Sequence, residues 1–290
     1  MTEKPRLVAG IDLGPETEPV VSYAAFFAAA QGACVRLLYV IDYLLTPPSY
    51  LSEYVEEEKK REEAEMTSWK LRLQREGIDA ECGILLGRLH ESFVKAIEET
   101  SPDLLVIGFK SHVIRPSSSE RLIKSLKVPI LVVRGKKASG AAIGCVGIKR
   151  ILCPVDFSDN SRKAAAAARK YASLFSADLS VVNVVPSYLI KEKWPVWKKL
   201  GEAEKEKFDE TVRSEAERKL DAFCSETEIE TKGAITQGHP GEAIVALAGE
   251  GGYDLIVIGA RGLSYVESVL IGGTTEAVLK SSPCPVLVVH

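Results

Sequence analysis

The sequence predicts an α/β protein built of two flavodoxin-like, Rossmann-like doubly wound domains, each a five-stranded, mainly parallel sheet of order 3-2-1-4-5. Three observations predict it. The 290-residue chain is written twice, each copy alternates short apolar runs with helical segments, and the apolar runs are continuous, as strands covered on both faces require. The duplication can be followed residue by residue. Arg6–Asp12 lies on Arg150–Asp156 at an offset of 144, which also carries Val35–Ile41 onto Leu179–Val185. Gly87, Asp103 and Leu104–Gly108 lie on Gly238, Asp254 and Leu255–Gly259 at an offset of 151, and Pro129–Val133 lies on Pro285–Val289 at 156. The second copy therefore gains seven residues in its middle and five after Gly259. A period this long marks a duplicated domain, not a solenoid. It gives domains at 1–134 and 149–290, joined at 135–148 by a connector rich in Lys, Gly, Ala and Ser.

Each copy opens on an apolar run, Leu7–Ile11 or Ile151–Val155, followed by an Asp where strand gives way to helix. An Ala-rich helix comes next, at Tyr23–Ala30 or Ser161–Phe175, with Ser158 or Asp159 as N-cap in the second copy. The second strands are Val35–Ile41 and Leu179–Val185. Glu53–Glu76 and Glu202–Glu226 are charged, poor in Gly and long enough for several helical turns; Tyr54, Met66, Trp69 and Leu73, or Phe208, Val212, Ala216 and Leu220, form their inner faces. Third strands at Glu81–Leu86 and Thr231–Thr236 lead into helices at Glu91–Glu99 and Gly241–Gly249. The fourth strands are Leu104–Ile107 and Leu255–Ile258, the last Ile130–Val133 and Val286–Val289. In such a sheet the strand order reverses beside the first strand, and a crevice opens outside the carboxyl ends of the first and fourth strands. Asp156 and Gly259 stand at those two ends.

Composition excludes several function classes. A net charge of −3 and a pI near 6.0 give no general basic surface, so nucleic acid is not expected as the principal partner. No apolar stretch approaches the roughly 20 residues that span a bilayer, and the first residues lack the order of a signal peptide, so the expectation is a cytoplasmic protein without a membrane span. Cys34, Cys82, Cys145, Cys153, Cys224 and Cys284 form no C-x-x-C pair, and the histidines do not interleave with them at ligand spacing. Reduced, mostly buried thiols are expected, with Cys145 near the connector exposed.

The five extra residues of the second copy fall in a glycine-spaced loop, Gly259-Ala-Arg261-Gly262 and, after nine further residues, Gly272-Gly273-Thr274-Thr275, which opens the last helix at Thr275–Lys280. Glycine turns let a phosphate reach main-chain N–H groups, and a helix start adds free donors and the positive dipole end. Two such turns converging on one crevice point to a phosphate chain, with the apolar strand ends at Val155 and Val184 to hold a flat base.

These residues resemble a tandem universal stress protein. Gly259-x2-Gly262-x9-Gly272 matches the family's nucleotide-binding pattern, Cys153–Ser158 its opening strand and Ser282–Val289 its closing strand. The resemblance covers nearly all of both copies and implies a regulatory, stress-response domain that binds ATP or another adenine nucleotide, with or without Mg²⁺. By position it implies that Asp156 and Val184 contact adenine, that Pro154 and Gly259 border the ribose, and that Arg261, Gly262, Gly272, Gly273, Thr274 and Thr275 surround the phosphates. It further implies an intramolecular pseudo-dimer through the last strands; a homodimer beyond that is allowed but not required. Gly273 departs from the family pattern, which has Ser or Thr there, so a side-chain hydroxyl is missing from the phosphate cradle, one that Thr274 or Thr275 can replace.

The first copy keeps Asp12 and Gly108 but continues Gly108-Phe-Lys-Ser111, without the second glycine, the glycine pair or the five extra residues. One nucleotide, held by the second copy, is therefore expected. The alternative for the first copy is that Ser117–Ser119 cap its last helix and, with Arg115, hold a smaller anion. The chain carries no P-loop sequence, no G-x-G-x-x-G in its first βα turn and no catalytic triad near the loop, so it is expected not to be an enzyme beyond weak ATP hydrolysis. A different class of function stays open: a dimerisation or partner-binding module with idle crevices, for which the Trp194/Trp197 segment offers a lid, a lipid-facing surface or a groove for an unknown protein partner.

Overall fold

The computed structural model describes residues 4–42, 52–109, 118–135, 142–186, 199–231, 233–261 and 271–290. Within it the chain divides into two compact units, Met1–Gly147 and Ile148–His290. The first runs β1 (Arg6–Gly10), α1 (Thr17–Gln31), β2 (Cys34–Asp42), α2 (Ser52–Arg75), β3 (Ala80–Gly87), α3 (Leu89–Thr100), β4 (Leu104–Gly108), α4 (Ser118–Ser125) and β5 (Ile130–Val133). The second runs β6 (Arg150–Pro154), α5 (Asp159–Phe175), β7 (Asp178–Val185), α6 (Glu202–Glu226), β8 (Ala234–Gln237), α7 (Pro240–Glu250), β9 (Leu255–Gly259), α8 (Gly273–Ser281) and β10 (Val286–Val289).

The first unit has the strand order β3-β2-β1-β4-β5 and the second β8-β7-β6-β9-β10, with parallel pairing throughout each. The doubly wound architecture is thus the one the alternation of strands and helices dictates. Leu104–Val106 and Leu255–Val257 are fully buried, and so are Ile130–Val132 and Val286–Val288. Strands covered on both faces have no solvent side to carry polar residues, which is why their sequence does not alternate. β3, at an outer position, exposes Glu81, Cys82 and Leu86 instead.

Element boundaries differ from expectation where local chemistry was ambiguous. α1 begins at Thr17 rather than Tyr23, because Pro19 lies in its first turn, where the donor it lacks would have no intrahelical acceptor. β8 begins only at Ala234: a Cβ on Gly233 would stand 2.4 Å from Leu220 of α6, so the chain is still passing that helix. α8 begins at Gly273 with Gly272 as N-cap. On the long helices Met66, Leu73, Ala216 and Leu220 are buried, and Trp69, Phe208 and Val212 half-buried. Tyr54 lies outside the described side chains.

Two devices repeat across the duplication. Asp103 Oδ2 accepts the N–H of Arg6 at 2.8 Å while the Asp103 N–H donates to Arg6 O at 2.9 Å. Asp254 repeats this with Arg150 at 3.0 and 2.8 Å. Each carboxylate staples the start of the first strand to the start of the fourth. The first helix is also tied to the long second helix by an ion pair whose charges are exchanged between copies: Arg72 Nη2 meets Glu18 Oε1 at 2.6 Å in the first unit, and Arg162 Nη2 meets Glu226 Oε2 at 3.3 Å in the second.

Cys153, Cys224 and Cys284 are buried, Cys34 is half-buried, and Cys82 and Cys145 are exposed. Thiols are therefore less uniformly buried than expected, because Cys82 stands on the outward part of β3. Among the described residues no helix is long and apolar enough to cross a membrane.

Candidate functional site

The crevice of the second unit begins with a broken ladder. β6 pairs with β9 only at Ile151↔Leu255 and Leu152↔Ile256, whereas β1 pairs with β4 as far as Gly10↔Ile107. Pro154 stands where the first copy has Gly10. In a parallel ladder successive residues point their polar groups to opposite neighbours, and the Val155 N–H donates to Val182 O of β7 at 2.8 Å. Pro154 would therefore have to donate toward β9, and it has no N–H. The ladder stops there, which leaves a gap in the rungs between the two strand ends.

Past the gap, Asp156 is held in a tight turn. Its Oδ1 accepts from the Ser158 N–H at 3.2 Å, from Ser158 Oγ at 2.6 Å and from Ser161 Oγ, while its own N–H donates to Ser161 Oγ at 3.0 Å. Ser158 Oγ also accepts the Ser161 N–H at 3.2 Å and so caps α5. Phe157 between them takes a left-handed backbone, φ 66°. That conformation is uncommon for a residue with a side chain, and two contacts hold it here: Arg162 Nη1 donates to Phe157 O at 2.7 Å, and the Phe157 ring packs edge-on against Phe223 with centroids 5.8 Å apart. The first unit repeats the turn in outline. Gly14 N–H donates to Asp12 Oδ1 at 2.9 Å, Thr17 Oγ1 approaches the same oxygen at 3.4 Å, and Leu13 has φ 55°.

On the other side of the gap, Gly259 ends β9. Its torsions are not left-handed; its lack of a side chain serves close approach. A Cβ there would stand 2.9 Å from the carbonyl carbon and oxygen of Asn160, in the first turn of α5. The carbonyl of Gly259 accepts from Thr275 Oγ1 at 2.8 Å, and that of Ala260 accepts the Gly272 N–H at 2.8 Å. These bonds bring the start of α8 against the end of β9. Gly272 has extended torsions, and a Cβ on Gly273 would meet nothing within 4 Å. The glycine pair is therefore an N-cap and a first helical residue rather than a turn. Its N-cap, Gly272, has no side chain to cap the helix start, which carries the N–H groups of the first turn and the positive dipole end.

Pro154 ends β6 and Asp156 follows it, Val184 lies near the end of β7, Gly259 ends β9, and Gly272, Gly273, Thr274 and Thr275 form the N-cap and first turn of α8. Thr275 is buried and its hydroxyl is engaged with Gly259, whereas Thr274 is half-buried. Arg261 is half-buried and is the last described residue before the loop. Gly262 lies outside the described residues, as do Trp194 and Trp197, Arg115, and Ser111 with the loop up to Ser117; the backbone of Ser118 and Ser119 starts α4.

Two residues had no functional reading in the sequence. Asn183, on β7, is buried and donates Nδ2 to Val155 O at 2.8 Å; a single amide inside an otherwise apolar run was the available signal. Gly241, in the first turn of α7, packs on α8: a Cβ there would lie 2.6 Å from Ala277 Cβ. No local pattern could have revealed that contact. Beneath the site, burial and the neighbouring Cys224 push the Cys153 thiol up to about 12, so it is a neutral part of the core.

Comparison with known proteins bears on the whole chain. The model of the universal stress protein family matches residues 5–134 and again 147–290. A universal stress protein of Methanocaldococcus jannaschii is 31% identical over 152 residues, covering 49% of this chain and 94% of its own length. One of Thermus aquaticus is 37% identical over 148 residues, 49% of this chain and 98% of its own. The crystal structure of a universal stress protein from Archaeoglobus fulgidus is similar in fold over 98% of this chain and 96% of its own, with a TM-score of 0.70 at 22% identity.

Proposed function

The chain belongs to the universal stress protein family in both of its halves, and from that premise we propose that it is an adenine-nucleotide-binding regulator of a stress response, holding one nucleotide in its second unit. The observation that carries this reading is that the β6–β9 rungs stop short of Pro154 while the neighbouring strand end at Gly259 is tied to a helix start with Gly272 as its N-cap. The crevice outside such strand ends can take a flat base, and a helix start can take phosphates.

The residues fit an adenine nucleotide. Val155 and Val184 supply apolar walls, Asp156 a carboxylate held at the mouth, and Gly273 a position with open space beside it. Arg261 and Gly262 would contribute to the phosphate site. Thr274 is the hydroxyl donor for them, since the Thr275 hydroxyl is engaged with the Gly259 carbonyl. The first unit has a complete β1–β4 ladder, Phe109 where the second has Ala260, and none of the glycines after Gly108. These differences support one site per chain. The nucleotide's own part is to bring charge and bulk to the loop; the regulatory output would come from what that loop then touches.

Mass spectrometry of natively purified protein, followed by calorimetric titration with ATP, tests the reading. The expected result is one adenine nucleotide per chain, lost in Gly262→Val. Two equivalent sites would overturn the assignment to the second unit. No binding at all would move the function to partner recognition independent of the crevices, and Mg²⁺-dependent phosphate release would replace a binding regulator with an ATPase switch.

A further inference from the structure

Gly241 sits where helix propensity alone would place another residue. It is buried in the first turn of α7, where alanine would lose less backbone entropy. Its torsions are not left-handed, so no turn requires a glycine. The neighbouring helix does. A Cβ on Gly241 would stand 2.6 Å from Ala277 Cβ of α8, with Thr274 O and Ala277 Cα next at 3.7 and 3.8 Å. Two carbon atoms in contact settle at about 3.5–4.0 Å, so α7 and α8 pass closer here than two alanines would allow.

The contact falls on the part of α8 that bears on phosphates. Thr275 is engaged with the Gly259 carbonyl, which leaves Thr274 as the hydroxyl donor, and Gly241 adjoins the main chain of Thr274. α8 is thus seated from two sides. The Thr275–Gly259 bond ties its first turn to β9, and Gly241 sets its distance from α7. α7 is itself anchored to β7, because the Gly238 N–H two residues before its start donates to Val185 O at 3.1 Å. In the first unit, His90 and Arg121 stand at the corresponding positions and are too large for such an approach. There α3 and α4 are joined by side chains, His90 Nε2 meeting Ser125 Oγ at 3.2 Å.

We infer that Gly241 is a positioning residue for the phosphate end of the site: by admitting Ala277 it sets where the first turn of α8, with the Thr274 hydroxyl, meets a phosphate chain. The inference rests on the nucleotide-binding reading above. It also divides the site into two parts. The base walls at Val155 and Val184 stand at the ends of β6 and β7 and do not depend on the seat of α8. A methyl group on Gly241 forces α8 away by about 1 Å, and hydrogen bonds to a charged group need closer geometry than that.

The test is calorimetric titration of wild-type protein, Gly241→Ala and the double variant Gly241→Ala/Ala277→Gly with ATP, and with adenosine by its displacement of bound ATP. The double variant moves the methyl group from one helix to the other, leaving the new Cβ with neighbours at 3.7 and 3.8 Å, an ordinary contact. Expected are about tenfold weaker ATP binding in Gly241→Ala, unchanged adenosine affinity, and wild-type ATP affinity in the double variant. Unchanged ATP affinity in Gly241→Ala, an equal loss for ATP and adenosine, or a double variant as weak as the single one overturns the inference while leaving nucleotide binding intact. If Gly241→Ala does not fold, the double variant carries the test: it should fold and bind ATP as wild type does, and failure in either respect overturns the inference. Wild-type protein that binds no nucleotide overturns the function proposed above and this inference with it.

Discussion

Thr275 and Gly259, sixteen residues apart, are joined by a buried hydrogen bond of 2.8 Å from the threonine hydroxyl to the glycine carbonyl. The bond ties the first turn of α8 to the end of β9, so the helix start that faces the crevice is fixed by the strand that borders it. A hydroxyl read in the sequence as a candidate phosphate donor instead builds the frame.

Thr275→Val keeps the shape and removes the donor, leaving the Gly259 carbonyl buried without this partner. The expected cost is about 1–3 kcal/mol of stability, read from chemical denaturation, together with weaker nucleotide binding. Unchanged stability would show that the carbonyl finds another donor.

Gly259→Ala and Gly108→Ala form a matched pair. In the second unit the new methyl would lie 2.9 Å from backbone atoms of Asn160, which cannot yield as a flexible side chain can; in the first its nearest neighbours are Val20 Cγ2 and Glu16 Cβ at 3.4 and 3.5 Å. Gly259→Ala should destabilise by about 1–3 kcal/mol through overpacking, with loss of nucleotide binding. Gly108→Ala should stay within about 1 kcal/mol of wild type. Equal effects in thermal melts of the two variants would refute a special close approach at Gly259.

Gly273→Ser restores the hydroxyl that the family pattern carries. Nothing lies within 4 Å of the Cβ it would introduce, and the residue is not in the left-handed region, so the fold should accept it. A hydrogen bond to a charged group is worth about 1.5–3 kcal/mol, and the expected result is about tenfold tighter ATP binding in calorimetry. Binding that is no tighter would mean that Thr274 already fills the role.

Cys153 makes stability depend on alkali. Its thiol is raised by burial from an ordinary 9.0 to about 12. A group whose folded value lies above its unfolded one stays protonated longer in the folded state, so its contribution is complete below 9.0 and is lost as pH rises through that window toward 12. Denaturation of wild type and Cys153→Ala across pH 8 to 11 should give a shallower decline for the variant. Identical slopes would show that the thiol ionises alike in both states.

The cysteines also illustrate what can be read from a sequence and what cannot. That six thiols form no pair follows from their spacing. That Cys82 is exposed while Cys153 is buried depends on which strand lies outermost, and no residue near Cys82 carries that information.

The same division runs through the whole protein. Sequence alone determined the duplication, the alternation of strand and helix and the doubly wound class, because each is written in local periodicity, in punctuation by Gly and Pro, or in an offset between copies. Helix Glu202–Glu226 and the strands Ile130–Val133 and Val286–Val289 lie where those patterns put them. Tertiary structure alone decided what the site residues do. Gly259 serves to admit Asn160, Pro154 to end a ladder, Thr275 to hold a helix, and Asn183 to donate to the Val155 carbonyl on a neighbouring strand end. Each of those roles is a relation to a residue on another element. A hydrogen bond or a close contact across the fold leaves no periodic trace in the chain, since its partner is chosen by packing and not by distance along the sequence.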